Sequence, residues 1–232
     1  MAGTESAGST AQAGIASLYP FLYSDTSDVP AVLAEVRRST EDKAGEIVAL
    51  RQRVLERYAE QIAACANRMA ASFDAGGRLF AFGNGGSSTD AQDAASAFLH
   101  PSGGGRPLPA LCLTGDVAVV TALSNDIGFD VIFARQIAAF GRAGDIAVGL
   151  STSGNSANLL AGFAEASRRG LLTIGLSGSE GGKMAEVETI DFLFTIPSSS
   201  VHRIQEAQTT IYHVLWELTQ QALSADIWEA RA

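Results

Sequence analysis

The sequence predicts an α/β protein: a three-layer α/β/α sandwich around a five-stranded parallel sheet, preceded by N-terminal helices. Three observations carry that expectation. Apolar runs of four to six residues alternate with helical stretches, the pattern of strands buried on both faces and joined by crossover helices. Gly, Pro, Ser or Asp bounds each run, as expected where strands hand over to loops. Hydrophobic residues make up 47% of the 232-residue chain against 18% charged, a balance that buries a core.

Residues 1–14 are small and polar and read as a disordered tail. An apolar-aromatic patch, Leu18 to Tyr23 (LYPFLY), follows. Pro30 suits a first helical turn and opens a helix over about Val29–Arg38, so that 15–44 form a helical extension. A longer helix from about Asp42 to Ala75 carries Ile47, Leu50, Val54, Tyr58, Ile62, Cys65 and Met69 every three or four residues and stops at Gly76-Gly77. Strands are expected over Arg78–Phe82, Ala110–Leu113, Asp145–Leu150, Leu171–Leu176 and Phe192–Ile196. Helices are expected near Asp90–Leu99, Phe129–Phe140, Ala157–Arg169 and Val201–Leu223. This gives one domain over 45–224 and a short tail over 225–232. Such alternation implies right-handed βαβ units.

The formal net charge is −9, with no Lys/Arg cluster, which argues against a nucleic-acid partner. No stretch reaches the roughly 18 to 20 apolar residues of a membrane helix, and the N-terminus lacks the pattern of a signal peptide. Cys65 and Cys112 both lie in apolar runs and read as buried, reduced thiols. These features point to a soluble, cytoplasmic protein without membrane contact.

Two loops each follow a strand and open a helix: Gly83-Asn84-Gly85-Gly86-Ser87-Ser88-Thr89 and Ser151-Thr152-Ser153-Gly154-Asn155-Ser156. In a parallel sheet both fall at the carboxyl ends of strands, where ligands bind. Glycines let backbone amides approach an anion, and a helix N-terminus adds unsatisfied N–H groups and a favourable dipole. Hydroxyls add uncharged donors, so a phosphomonoester fits best. GNGGSS is neither a nucleoside-triphosphate loop nor a dinucleotide fingerprint. The plainer alternative is a pair of Gly/Ser-rich turns, which the density of hydroxyls in both loops disfavours.

GNGGSS, SNDIGFD (Ser124–Asp130), GDIAVGLSTSGNS (Gly144–Ser156), GGKMA (Gly181–Ala185) and RIQE with His213 come in the order seen in phosphoheptose isomerases. The chain over about 45–223 resembles that family, a branch of the sugar-isomerase (SIS) domain superfamily. The resemblance implies a flavodoxin-like fold and a homotetramer with sites at subunit interfaces. It also implies aldose–ketose isomerisation of sedoheptulose 7-phosphate to D-glycero-D-manno-heptose 7-phosphate through an enediol. By position, Gly85, Gly86, Ser87, Ser151, Thr152, Ser153 and Ser156 would hold the phosphate, and Asn84, Asp126 and Gln205 the polyol. His213 falls at the catalytic histidine, which in some members also ligates zinc together with the residue at Gln205.

The chain also departs from the family. Where the family reads D-A-x-H-x-A-x-E, with histidine a metal ligand and glutamate the base, this chain places Asp93 and Ala97. A frequent arginine is replaced by Pro101 before a Gly-rich stretch, and the acidic residue before RIQE by His202. Alanine cannot move a proton, and a placed acid or base is worth roughly 10²–10⁴ in rate. Three substitutes are at hand. Asp93 lies one turn before Ala97 on the same face, Glu206 projects from nearly the same side of its helix as His213, and His100 lies one turn past Ala97. Asp93, Glu206 and His213 each have a plainer alternative: a helix-start acid for Asp93, a structural partner of Arg203 or of a neighbouring subunit for Glu206, a satisfied core imidazole for His213. Asp93, Gln205 and His213 form the candidate zinc set. Two functions follow: a ketose–aldose isomerase of phosphorylated seven-carbon sugars using His213 and a relocated carboxylate, or a non-catalytic sugar-phosphate-sensing regulator or scaffold. The second resembles family members that bind the bacterial replication initiator.

Overall fold

The computed structural model describes residues 29–101 and 103–229. The expected tail over 1–14, the Leu18–Tyr23 patch and residues 230–232 lie outside them. In chain order the elements are α1 (Val29–Asp74), β1 (Leu79–Gly83), α2 (Gly86–Leu99), β2 (Ala110–Cys112), α3 (Val117–Asp126), α4 (Ile132–Phe140), β3 (Ile146–Leu150), α5 (Ala157–Arg168), β4 (Leu172–Gly178), β5 (Phe192–Ile196) and α6 (Val201–Glu229). Short 3₁₀ turns precede α4 (Phe129–Val131) and β5 (Gly182–Ala185). Contacts divide the chain between Gly45 and Glu46.

All strand pairs are parallel, in the order β2-β1-β3-β4-β5. Period-two alternation sorts the strand side chains between two cores. Leu79, Ala81, Ile146, Val148, Leu150, Ile174 and Phe194 meet α1, α2 and α6 through Tyr58, Met69, Phe98 and Ile211. Phe80, Phe82 and Ala147 turn the other way, onto Phe133 and Ile137 of α4 and Leu159 and Phe163 of α5. The central strands are buried at every position, which explains their unbroken apolar sequence. At the amino end of β3, Asp145 accepts from the backbone N–H groups of Arg78 and Arg142 (2.8 and 2.9 Å) and pairs with the Arg78 guanidinium at 2.8 Å.

The elements differ from the expected ones in four places. The two N-terminal helices are one, because Ser39 and Thr40 satisfy themselves within the helix: Thr40 Oγ1 donates to the Val36 carbonyl, and Lys43 reaches back to Ser39. The segment Val117–Asp126 is an unforeseen helix, N-capped by Asp116, whose side chain accepts from Val119 N at 3.1 Å. α2 starts at Gly86, not Asp90, so the glycine loop already belongs to the helix. The last helix continues past Leu223 to Glu229. Cys65 is buried as expected, whereas Cys112, on the edge strand β2, is half-buried; both are free thiols. Among the described residues no helix is long and apolar enough to cross a membrane.

Candidate functional site

With strand order 2-1-3-4-5, the chain leaves β1 toward one edge of the sheet and returns at β3 on the other side. The loops after these two strands therefore diverge, opening a crevice at their carboxyl ends. β1 and β3 end in register, Gly83 opposite Leu150. Between the two loops lies a cavity of about 110 Å³ lined by Asn84, Ser87, Leu150, Ser151, Thr152, Ser153 and Ser156. All five hydroxyl residues expected to hold phosphate are thus brought together, with Asn84 beside them. Gly85 and Gly86 do not line the cup; Gly85 caps α2 and Gly86 is its first residue. The first turn of α2 contributes Ser87, and Ser156 is the N-cap of α5. Two helix N-termini therefore border the cup, which suits a small anion without any charged side chain in its lining.

The cup is braced from behind. Asn84 and Asn158 exchange amide hydrogen bonds, both 2.9 Å, tying the first loop to α5. Gly154 N donates to Ser151 Oγ at 2.9 Å, and the Gly154 carbonyl accepts from Met184 N at 3.0 Å. Lys183 N donates to Asn155 Oδ1 at 3.0 Å. The GGKMA segment is thus a clamp on the second loop. Gly154 has φ +69°, and a Cβ there would run into the Gly181 carbonyl and the Ser177 hydroxyl. Gln208, 0% exposed, donates to the Ser151 carbonyl at 2.9 Å, while its Oε1 has no partner among the described residues. Sequence reasoning missed Asn158 and Gln208. The available signals were their positions inside LSTSGNSAN and three residues after Gln205.

A second polar group lies farther along α2, where Gly86, Asp90, Asp93 and Ala97 share one face at helical spacing. α6 packs against it. Gln205 Nε2 donates to Asp90 Oδ2 at 2.8 Å, and a Cβ on Gly86 would sit 2.5 Å from that same nitrogen, so a side chain there would push the Gln205 amide aside. Asp93 Oδ2 accepts from the Tyr212 hydroxyl at 2.7 Å and lies 3.2 Å from His213 Nε2. The Asp93 and His213 side chains are 57% and 48% exposed, open to a ligand entering from solvent. Burial pushes the Asp90 carboxyl up; the Gln205 bond opposes that shift and the neighbouring Asp93 charge adds to it. Burial, more than any neighbour, also pushes the Tyr212 phenol upward, which keeps it a donor.

The remaining expected residues lie elsewhere. Glu206 is ion-paired with Arg203, which also reaches Glu46 at 3.4 Å; the plainer alternative describes it, and Arg203 rather than His213 is its partner. Asp126 ends α3, exposed, accepting from Asn125 Nδ2 at 2.9 Å. His100 is the exposed C-cap of α2. The zinc set assembles only in part. Asp93 and His213 meet, but Gln205 turns its amide nitrogen to Asp90, and no cluster of three His, Cys, Asp or Glu side chains suited to a metal forms among the described residues. A zinc site takes at least three protein ligands, so the side chains of one chain do not fit the ion.

A family model described as SIS domain matches residues 44–178. The phosphoheptose isomerase of Roseiflexus sp. is 41% identical over 175 residues, which span 75% of this chain and 88% of that protein. The phosphoheptose isomerase of Aquifex aeolicus is 42% identical over 168 residues, 72% of this chain and 87% of the relative. Among solved structures, the phosphoheptose isomerase of Neisseria gonorrhoeae superposes with a TM-score of 0.74 at 34% identity, covering 80% of this chain and 99% of that one.

Proposed function

The chain belongs to the phosphoheptose isomerase family of SIS-domain proteins, and on that premise we propose that it interconverts a seven-carbon ketose phosphate and its aldose, with Asp93 and His213 as the acid–base pair. The observation that carries the reading is the placement of that pair relative to the cup. Asp93 and Ser87 lie six residues apart on α2, a rise of about 9 Å along the helix axis at 1.5 Å per residue. An extended chain advances about 3.3–3.6 Å per three bonds. The eight bonds from phosphorus to C1 of a 7-phosphate therefore span about 9 Å, whereas a pentose 5-phosphate falls short by two bonds.

With the phosphate in the cup, C1 and C2 of sedoheptulose 7-phosphate come level with Asp93. The Asp93 carboxylate takes a proton from C1, the C–H electron pair becomes the C1=C2 bond of the enediol, and the carbonyl oxygen on C2 gains a proton from His213. Return of the first proton to C2 and loss of the O1 proton to His213 leave the aldehyde at C1. No step passes through a metal. Ala97, one turn farther, has no group to contribute.

A second reading keeps the cup and omits turnover: a sugar-phosphate-sensing regulator. Ala97 favours it, since Asp93 must do work done elsewhere in the family by a glutamate at that position. A coupled assay for isomerisation of sedoheptulose 7-phosphate separates the two. Turnover that His213→Ala abolishes supports the enzyme. No turnover, but a melting shift with sugar phosphate that Ser151→Ala weakens, supports the sensor. Turnover gained only in Ala97→Glu points the same way.

Within this reading the protein works in the cytoplasm as a homotetramer. Its free thiols fit a reducing compartment. Val48 and Leu55, seven residues apart on α1 and both more than half exposed, form an apolar edge suited to burial against another copy.

A further inference from the structure

We propose that Tyr212 is the positioning residue that holds Asp93 against His213, so that a carboxylate standing where the family has another residue is aimed at the reacting carbons. The inference rests on the assignment of Asp93 and His213 as the acid–base pair and adds a residue that neither the motifs nor that assignment contains.

Asp93 needs an external hold. Its side chain is more than half exposed on the surface of α2, and a free aspartate there exchanges rotamers readily. The two bonds that engage its carboxylate both end on Oδ2 and both come from α6: Tyr212 Oη at 2.7 Å and His213 Nε2 at 3.2 Å. Of these two donors, His213 is itself half exposed, so it cannot serve as the fixed point. Tyr212 can. It is 3% exposed, its ring is locked among core side chains, and of the two acceptors its hydroxyl meets, Asp93 Oδ2 at 2.7 Å is much the nearer, Thr209 Oγ1 lying at 3.4 Å.

The same ring sets the imidazole. Tyr212 and His213 rings meet edge to face, centroids 4.9 Å apart at 74°. Neighbouring positions on a helix point about 100° apart. That places the tyrosine toward the core and the histidine toward the opening, with Asp93 Oδ2 reached by both. One buried side chain thus touches each member of the pair without facing the substrate. A carboxylate displaced by as little as about 1 Å from its working position can lose on the order of 10²-fold in rate.

Tyr212→Phe keeps the ring and removes the hydroxyl. Measured beside Asp93→Asn and the wild type, it is expected to lower kcat by roughly ten- to a hundredfold, with KM and melting temperature unchanged. In imidazole ¹⁵N spectra, with His213 assigned by its loss in His213→Gln, the variant should move the His213 Nε2 resonance in the direction that Asp93→Asn moves it. A resonance left at its wild-type position overturns the proposal, whether or not the protein turns over. If Asp93→Asn abolishes turnover while Tyr212→Phe leaves kcat intact, the positioning role fails and the acid–base assignment stands. If Asp93→Asn is itself harmless, the assignment fails, and the positioning role with it.

Discussion

Replacing Gly154 by alanine strikes the cup at its support and not at its lining. The backbone there has φ +69°, and a Cβ would overlap the Gly181 carbonyl and lie 2.5 Å from Ser177 Oγ. An L-residue in the left-handed region costs roughly 1–2 kcal/mol. The overlap with backbone cannot be relieved by a side-chain rotation, so the Ser151–Ser156 loop must part from the Gly181–Ala185 turn. That separation breaks the bonds from Met184 N to the Gly154 carbonyl and from Lys183 N to Asn155 Oδ1, each worth about 1 kcal/mol net. The sum is about 3–4 kcal/mol, which for a chain of this size lowers the melting temperature by roughly 6–16 °C. Because Gly154 N also holds Ser151 Oγ, the melting shift induced by sugar phosphate should shrink in the variant. Differential scanning calorimetry with and without ligand reads both effects. A variant that melts within about 1 °C of wild type and keeps its full ligand shift refutes the claim that this glycine and the GGKMA turn shape the cup.

Ser151→Ala removes a cup hydroxyl and the acceptor of Gly154 N; steady-state kinetics should show a raised KM with a much smaller change in kcat. Asp93→Asn should do the reverse, lowering kcat by roughly 10²–10⁴ while sugar-phosphate affinity, read by calorimetry, stays put. Asp145→Ala leaves two backbone donors without their acceptor and the Arg78 guanidinium with the Phe140 carbonyl but no carboxylate, and should cost about 3–5 kcal/mol in denaturant unfolding, far from the cup. The paired arginines Arg168 and Arg169 hold the Glu165 carboxyl down to about 2. Its pKa is depressed in the folded state, so its contribution is fully present above the ordinary glutamate range and is lost as pH falls from about 4.3 toward 2. The stability gap between wild type and Glu165→Gln should close over that interval in chemical denaturation at stepped pH.

The sheet was readable because strands buried on both faces write themselves as unbroken apolar runs, and all five expected strands stand within two residues of their observed ends. α3 escaped notice for a related reason. Val117-Ala118-Val119-Val120-Thr121 is continuous and β-branched at every position but Ala118, with no helical stripe because none of it is fully buried; only the Asp116 cap announced a helix. The cup was legible as two loops, since Gly/Ser density after a strand is a local signal. What braces it was not. Asn158 meets Asn84 across 74 positions, Gln208 meets the Ser151 carbonyl across 57, and Tyr212 meets Asp93 across 119. Such pairings depend on how α6 and α5 lie on the sheet, which no window of sequence contains. Glu206 illustrates the converse: helical spacing placed it beside His213, but Arg203, three residues earlier on the same helix, takes its charge.

The central claim is that the phosphate binds at the N-terminal end of α2 and the reacting carbons lie farther along that helix, level with Asp93. A crystal structure of Asp93→Asn with sedoheptulose 7-phosphate tests it most directly. The account predicts phosphate oxygens on the hydroxyls of Ser87, Ser151 and Ser156, with C1 and C2 beside position 93 and the His213 imidazole. A phosphate bound outside the β1–β3 crevice, or a sugar chain running away from α6, contradicts it.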